Sequence, residues 1–294
     1  MSISIMRSSK RLMVSLLLTL SLFSYFCLAN TISHNKPTPV QAKRIIALSP
    51  QAVEMLFAIG AGESIVATTD HADYPKEAKA IPRIGGYYGI SMERVIELNP
   101  DLIVTWSSGN KLDDLQQLRH LGFRLLDSDP KTLDEVATDL ERLGQATGHL
   151  VQAKALAADY RQELQHIRQQ ASTQPKVRVF YQLWSEPLMT VAKQSWVQQS
   201  ISACHGDNVF FDAASDYPQV SIENVLLTGA QVIIQSQDAG NVLGVDWSKW
   251  PELPAVKQQH IYQLDADLLH RASPRSLIGV KALCDMFNRV RGQG

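Results

Sequence analysis

The sequence predicts an α/β protein of two β/α lobes joined by one long connecting helix, with a ligand cleft between the lobes. Three observations predict it. Short apolar runs alternate with segments of helical periodicity, the pattern of parallel sheets covered by helices on both faces. The alternation stops between about residues 133 and 170, where no strand signal stands, and restarts at Val177. A segment of the first half, Ser91-Met92-Glu93-Arg94-Val95-Ile96, is also matched 130 residues later by Ser221-Ile222-Glu223-Asn224-Val225-Leu226.

Residues 44–48 read as a short buried strand, and Ser49-Pro50 caps a helix that runs to Ile59 and stops at Gly60. Residues 64–69 form a second strand. A helix over residues 92–98 is closed by Asn99-Pro100 and leads into a strand over 101–106. Residues 112–121 are helical, Gly122 ends them, and 123–126 make a fourth strand. Residues 151–169 then carry apolar positions at helical spacing (Ala155, Leu156, Tyr160, Leu164, Ile167) among charges and glutamines, which predicts one long exposed helix. Ala171-Ser172-Thr173-Gln174-Pro175 ends it, and the strand over 177–183 restarts the alternation. Such a helix is a stiff connector, unlike a Gly/Ser linker. The expected division is 43–148 for the first lobe, 149–172 for the connecting helix and 176–294 for the second lobe.

The repeat extends from the capped helix into a strand, Leu102-Ile103-Val104 against Val232-Ile233-Ile234. In both copies a Ser can cap a helix that carries Glu on its first turn. Good capping chemistry arising twice would account for the Ser and Glu; the shared strand favours duplication, or two lobes under one demand.

Composition narrows the function. The 294 residues are 45% hydrophobic and 19% charged, too apolar for a disordered chain. A formal charge of -1 shows no basic field for nucleic acid. Arg7, Lys10 and Arg11 precede an apolar run over 12–28, and Cys27-Leu28-Ala29 offers small residues for cleavage. Residues 1–29 therefore read as an export signal; a retained membrane anchor is the rival reading. Ser24-Tyr25-Phe26 places a bulky residue where lipidation of Cys27 needs a small one. Residues 1–29 hold three basic and no acidic side chains, so their removal takes the charge from -1 to -4. It also leaves Cys204 and Cys284, in an oxidising compartment most simply a disulfide, with two buried free thiols as the alternative.

Catalytic signatures are missing. There is no G-x-S-x-G, no Walker A and no H-E-x-x-H. Gly60-Ala61-Gly62 follows a helix and lacks the third Gly, so it is not a dinucleotide loop. The eight histidines are scattered, and no Cys motif suggests a structural metal. An exported, two-lobed α/β chain of this kind suits ligand capture better than catalysis, with the inter-lobe cleft as the default site.

Several segments carry a family resemblance: Asp73-Tyr74-Pro75, Gly85-Gly86-Tyr87-Tyr88-Gly89-Ile90-Ser91-Met92-Glu93 and Pro100-Asp101-Leu102-Ile103-Val104-Thr105-Trp106 in one half. Tyr217-Pro218-Gln219-Val220-Ser221 and Arg271-Ala272-Ser273-Pro274-Arg275 stand in the other. In this order, across about residues 43–290, the chain resembles the periplasmic vitamin B12 (cobalamin)-binding proteins of ABC importers, within the helical-backbone, metal-chelate-type family. The Trp106–Asn110 and Arg271–Arg275 segments are its more specific parts. The resemblance implies two Rossmann-like lobes that move little on ligand binding, the Cys204–Cys284 disulfide, and cobalamin as transported ligand with no cofactor. It implies ligand contacts at His71, Tyr87, Trp106, Leu183 or Trp184, Tyr217 and the run Asp267, Leu268, Leu269, His270 and Arg271. It further implies that Glu93 and Glu223 dock onto arginines of a two-fold symmetric permease, which works with its ATPase, while the free protein is a monomer in the periplasm.

The pattern departs from the family's at several of these positions. His71 stands where relatives carry Tyr, Tyr87 and Tyr217 where they carry Trp, and Leu268, Leu269 and His270 where they carry aromatics and a Glu. The expected cleft is less aromatic and gains two imidazoles, so His71 or His270 is a candidate axial ligand of the corrin metal. The alternative on the same scaffold is a haem- or ferric-siderophore-binding protein, for which Arg271 and Arg275 are the anion-reading candidates. A more distant one is an exported hydrolase using Asp73 or Asp267 with a His.

Overall fold

A computed structural model of the chain describes residues 41–237 and 244–292. The signal expected over residues 1–29, with Cys27, lies outside the described residues. Among those described, no helix is long and apolar enough to cross a membrane.

The first lobe opens with β1 (Ile45–Ala47) and α1 (Pro50–Ala58), whose Ser49 cap accepts from the Ala52 amide. There follow β2 (Ile65–Thr68), the hairpin β3 (Gly85–Gly86) and β4 (Gly89–Ile90), α2 (Met92–Leu98), β5 (Leu102–Thr105), α3 (Leu112–His120) and β6 (Leu125–Asp127). The main strands form one parallel sheet in the order β2-β1-β5-β6. Two helices come next, α4 (Leu133–Thr147) and α5 (Leu150–Ser172).

The second lobe repeats the plan with β7 (Val177–Gln182), the hairpin β8 (Trp184–Ser185) and β9 (Leu188–Met189), α6 (Trp196–Ala203), β10 (Gly206–Asn208), α7 (Ile222–Leu226), β11 (Val232–Gln237), α8 (Pro254–Lys257), β12 (Ile261–Asp265), α9 (Ala266–His270) and α10 (Ser276–Gly292). Its sheet is again parallel, in the order β10-β7-β11-β12.

Alternation along the strands divides the core. Ile45, Ala47, Leu102 and Val104 face one way, and Val177, Val179, Tyr181, Val232 and Ile234 do so in the second sheet; all join one continuous core. The intervening Ile46 and Ile103 pack in a separate cluster under the first sheet, and Phe180 and Ile233 in another under the second. This is the period-two pattern of strands buried on both faces.

The shared core passes through α5. That helix buries Ala153, Ala157, Tyr160, Leu164, Ile167 and Ala171, a stripe at steps of four and three, against α4 and α10. It is therefore half-buried rather than fully exposed, and Ala155 faces solvent because the stripe begins at Ala153. Ion pairs fix the rest of the helix: Arg168 grips Asp134 with two bonds of 2.7 and 2.8 Å, Arg161 meets Glu141, and Lys281 of α10 reaches Glu163. The Tyr160 hydroxyl bonds Ser276, and burial pushes its pKa up to about 12. Cys204, just after α6, is bonded to Cys284 on α10, so the pair is a disulfide within the second lobe.

Candidate functional site

Parallel sheets gather their loops at the carboxyl ends of the strands, where open α/β folds bind ligands. The expected site residues stand after those ends. His71 follows β2, Trp106 follows β5, Trp184 follows β7, and the run from Asp267 to Arg271 follows β12.

In the first lobe, Tyr87 sits at the tip of the β3–β4 hairpin and is 81% exposed. Gly85 makes that hairpin possible: it adopts a φ of 146°, and a Cβ there would lie 2.2 Å from the Gly89 carbonyl oxygen. Tyr88 meets Tyr87 edge-on and donates to Asp70 at 3.0 Å, a bond that raises the Tyr88 pKa. His71 holds a left-handed backbone, φ 62°, and its imidazole is exposed.

Trp106 is fixed by the turn that follows it. Its amide donates to Asn110 Oδ1 at 2.7 Å, while Asn110 Nδ2 donates to the Leu48 carbonyl at 2.7 Å. The indole folds over Gly109, where a Cβ would lie 2.1–2.5 Å from the ring. Ser107 donates to Asp127 at the end of β6, and Ser107 and Ser108 both donate to Asp129 just beyond it. Burial works against the Asp129 carboxylate, but Lys131 and the two serines outweigh it and lower its pKa.

In the second lobe, Trp184 and Tyr217 are exposed, and the Trp184 indole donates to the Glu186 carbonyl at 2.9 Å. Leu268 is half-buried. Leu269 is fully buried in the shared core, which corrects its expected place in the cleft: on the short helix α9 it faces the opposite way from a solvent-facing neighbour. His270 Nε2 lies 2.9 Å from the Tyr181 hydroxyl and 3.4 Å from that of Ser236. Burial raises the Tyr181 pKa, so the phenol stays protonated beside this imidazole.

Arg271, an expected ligand contact, is also the hub of an ion-pair cluster. It is buried, and its guanidinium bonds Glu54 at 3.0 Å, Asp73 at 2.9 Å, Asp267 at 2.8 Å and the His71 carbonyl at 3.1 Å. Burial works against its charge, but these carboxylates outweigh it and raise its pKa. Glu54, only 3% exposed, also accepts from Ser273 at 2.5 Å and from Arg275 at 2.7 and 3.0 Å. Arg275 lies 3.6 Å over the ring of Tyr74, within cation–π range. These contacts join the strand-end loops of the two lobes. The sequence alone does not single out Glu54, one of two polar residues, with Gln51, in a mostly apolar helix.

Glu93 and Glu223 are exposed on the first turns of α2 and α7. Their caps are alike: Ser91 accepts from the Arg94 amide and Ser221 from the Asn224 amide. A groove of about 850 Å³ between α5 and α10 contains none of the expected ligand contacts. Among the described residues, no group of three or more His, Cys, Asp or Glu could hold a metal ion.

The family model described as "Periplasmic binding protein" matches residues 45–268. The chain belongs to the periplasmic binding protein family. This is a family of binding proteins. A relative named Vitamin B12-binding protein, from Vibrio vulnificus strain CMCP6, is 39% identical over 249 residues, 84% of this chain and 91% of its own length. The crystal structure of the periplasmic vitamin B12-binding protein BtuF of Vibrio cholerae is similar with a TM-score of 0.80 and 39% identity, covering 86% of this chain and 99% of that one. The periplasmic heme-binding protein RhuT from Roseiflexus sp. RS-1 is also similar, with a TM-score of 0.75 and 27% identity over 85% of this chain and 99% of that one.

Proposed function

We propose that this protein captures cobalamin in the periplasm, between residues 43–148 and 176–294, and delivers it to the permease of an ABC importer with its ATPase. The observation that carries this reading is the 39% identity to a vitamin B12-binding protein, sustained over 91% of that protein's length. In this reading the free protein is a monomer that binds and releases its ligand unchanged, without catalysis.

The site chemistry fits such a ligand. A corrin ring is broad and partly apolar, so rigid aromatic side chains cover it at low entropy cost. Trp106, Tyr87, Trp184 and Tyr217 would supply those faces, with Leu268 as an aliphatic one, and His71, Asp267 and His270 would meet the rim of amides. His71 is the better candidate for the metal, because the Nε2 of His270 already faces Tyr181 and Ser236. Glu93 and Glu223, presented alike on two similar lobes, suit a partner that offers one basic patch twice.

Haem is the second reading, favoured by the exposed imidazole of His71 and by the 27% identity to RhuT. The siderophore version is disfavoured, since Arg271 and Arg275 are engaged by Glu54 and not available for anionic ligand groups. Titration of the exported protein with cyanocobalamin and, in parallel, with hemin tests the reading by calorimetry and visible spectra. Tight one-to-one cobalamin binding with weak hemin association is expected; tight hemin binding without cobalamin would move the function to haem uptake.

A further inference from the structure

Glu54 is an unusual place for a carboxylate. It stands in α1 within the buried stretch of residues 51–56, and its own side chain is 1% exposed. A charge there is costly unless paired and fully hydrogen-bonded. It is both, and every partner comes from the other lobe. Arg275 approaches as a fork, with Nε on Oε2 and Nη2 on Oε1, while Arg271 and Ser273 each add a bond to one oxygen. The acceptor sits on a helix capped by Ser49 and packed in the core. The donors sit in the five-residue turn from Arg271 to Arg275, held between α9 and α10.

A buried ion pair of this kind is weak evidence for stability, because well-packed apolar residues often do as well. What planar forks give is direction: a bidentate Arg–carboxylate pair fixes distance and angle together. Arg271 extends the tie to Asp73 and to the His71 carbonyl, so the same cluster holds the loop that carries an expected ligand contact. The α5 connector joins the lobes along one line, whereas this cluster joins them at the carboxyl edges of their sheets.

We infer that Glu54 is a positioning residue, an inter-lobe lock that with Arg271, Ser273 and Arg275 presets the width of the cleft for a rigid, broad ligand. The structural half of this inference stands alone; its ligand half rests on the cobalamin reading. When the competent geometry is held in only a fraction of molecules, apparent affinity falls by that fraction. A lock loosened to about one tenth occupancy therefore weakens binding about tenfold.

The test uses protein exported from the full chain, with nitroxide labels on ketone-bearing residues introduced at the exposed positions Gln116 and Lys257, which leave the disulfide untouched. Pulsed electron spin resonance without ligand reads the distance between lobes. The expected result is one narrow distribution in the parent and a clearly broader one in Glu54→Gln. Arg275→Lys, which keeps the charge but removes the fork, should fall between them and decides the matter if Glu54→Gln fails to fold. Cobalamin affinity should drop in each variant in proportion to the fraction that leaves the parent distance. Folded variants with the parent distribution overturn the lock. Broadening with parent affinity overturns its role in presetting the site. Failure of the parent to bind cobalamin would sink the ligand reading alone, since the distances are measured without ligand.

Discussion

Asp73 of the first lobe and Asp267 of the second share one cation, Arg271, at 2.9 and 2.8 Å, yet their carboxyl pKa values move in opposite directions. Burial opposes the charge of both. At Asp73 the Arg271 bond wins and the pKa is lowered; at Asp267 burial wins, with Asp73 and Asp265 adding repulsion, and it is raised. Asp73 therefore stabilises the folded state above the ordinary aspartate value of 3.8, and this is lost as pH falls through its lower folded value. Asp267 favours folding only when protonated: its contribution is complete below 3.8 and gone once pH rises past its higher folded value. In a carbon-detected NMR titration toward acid, the Asp267 carboxyl should move first and that of Asp73 only below 3.8. The reverse order would mean that Arg271 belongs to Asp267 in solution.

Gly109→Ala should displace the Trp106 indole, because the added methyl would occupy the ring's present position. Loss of one aromatic face is worth about 0.5–1.5 kcal/mol, roughly two- to tenfold in cobalamin Kd. A shifted tryptophan emission with a nearly unchanged melting curve would accompany it; unchanged affinity despite that shift would remove Trp106 from the ligand site.

The double variant Cys204→Ser/Cys284→Ser opens a loop with a sequence separation of 80. The chain-entropy model gives that closure about 4–5 kcal/mol, and removal of native disulfides typically costs about 2–5 kcal/mol. Urea unfolding should report a loss within that range, and a loss below about 1 kcal/mol would show that packing already restrains the loop in the unfolded chain.

Glu93→Lys together with Glu223→Lys should abolish transporter-coupled uptake while ligand affinity stays at the parent value. Both side chains are exposed, and neither takes part in the cluster around Arg271. Uptake equal to that of the parent would leave these glutamates only the role of complementing their helix ends.

The fold is readable where one face of an element decides its burial. Residues 92–98 and 101–106 carry caps and apolar runs that mark their ends, and the helix expected over 151–169 is observed over Leu150–Ser172, three residues longer at its C-terminal end. The sequence starts its buried stripe two positions late, because Ala153 and Ala155 look alike until α4 shows which one it covers. The site was harder. Glu54 and Arg271 are 217 residues apart, and no local pattern pairs a carboxylate with a guanidinium at that distance. For the same reason the sequence shows neither that Arg271 ties the lobes together nor that Leu269, its neighbour in the run, turns into the core.

The disulfide also decides how a mechanical load travels. A pull applied through α10 would pass at Cys284 directly to Cys204 and into the shared core, leaving the intervening backbone slack. That sheltered stretch contains β11, β12, Glu223 and all the second-lobe donors to Glu54. Tension on the final helix would then leave the joint between the lobes unstrained, and in single-molecule pulling the contour released before reduction should be short by the sheltered segment.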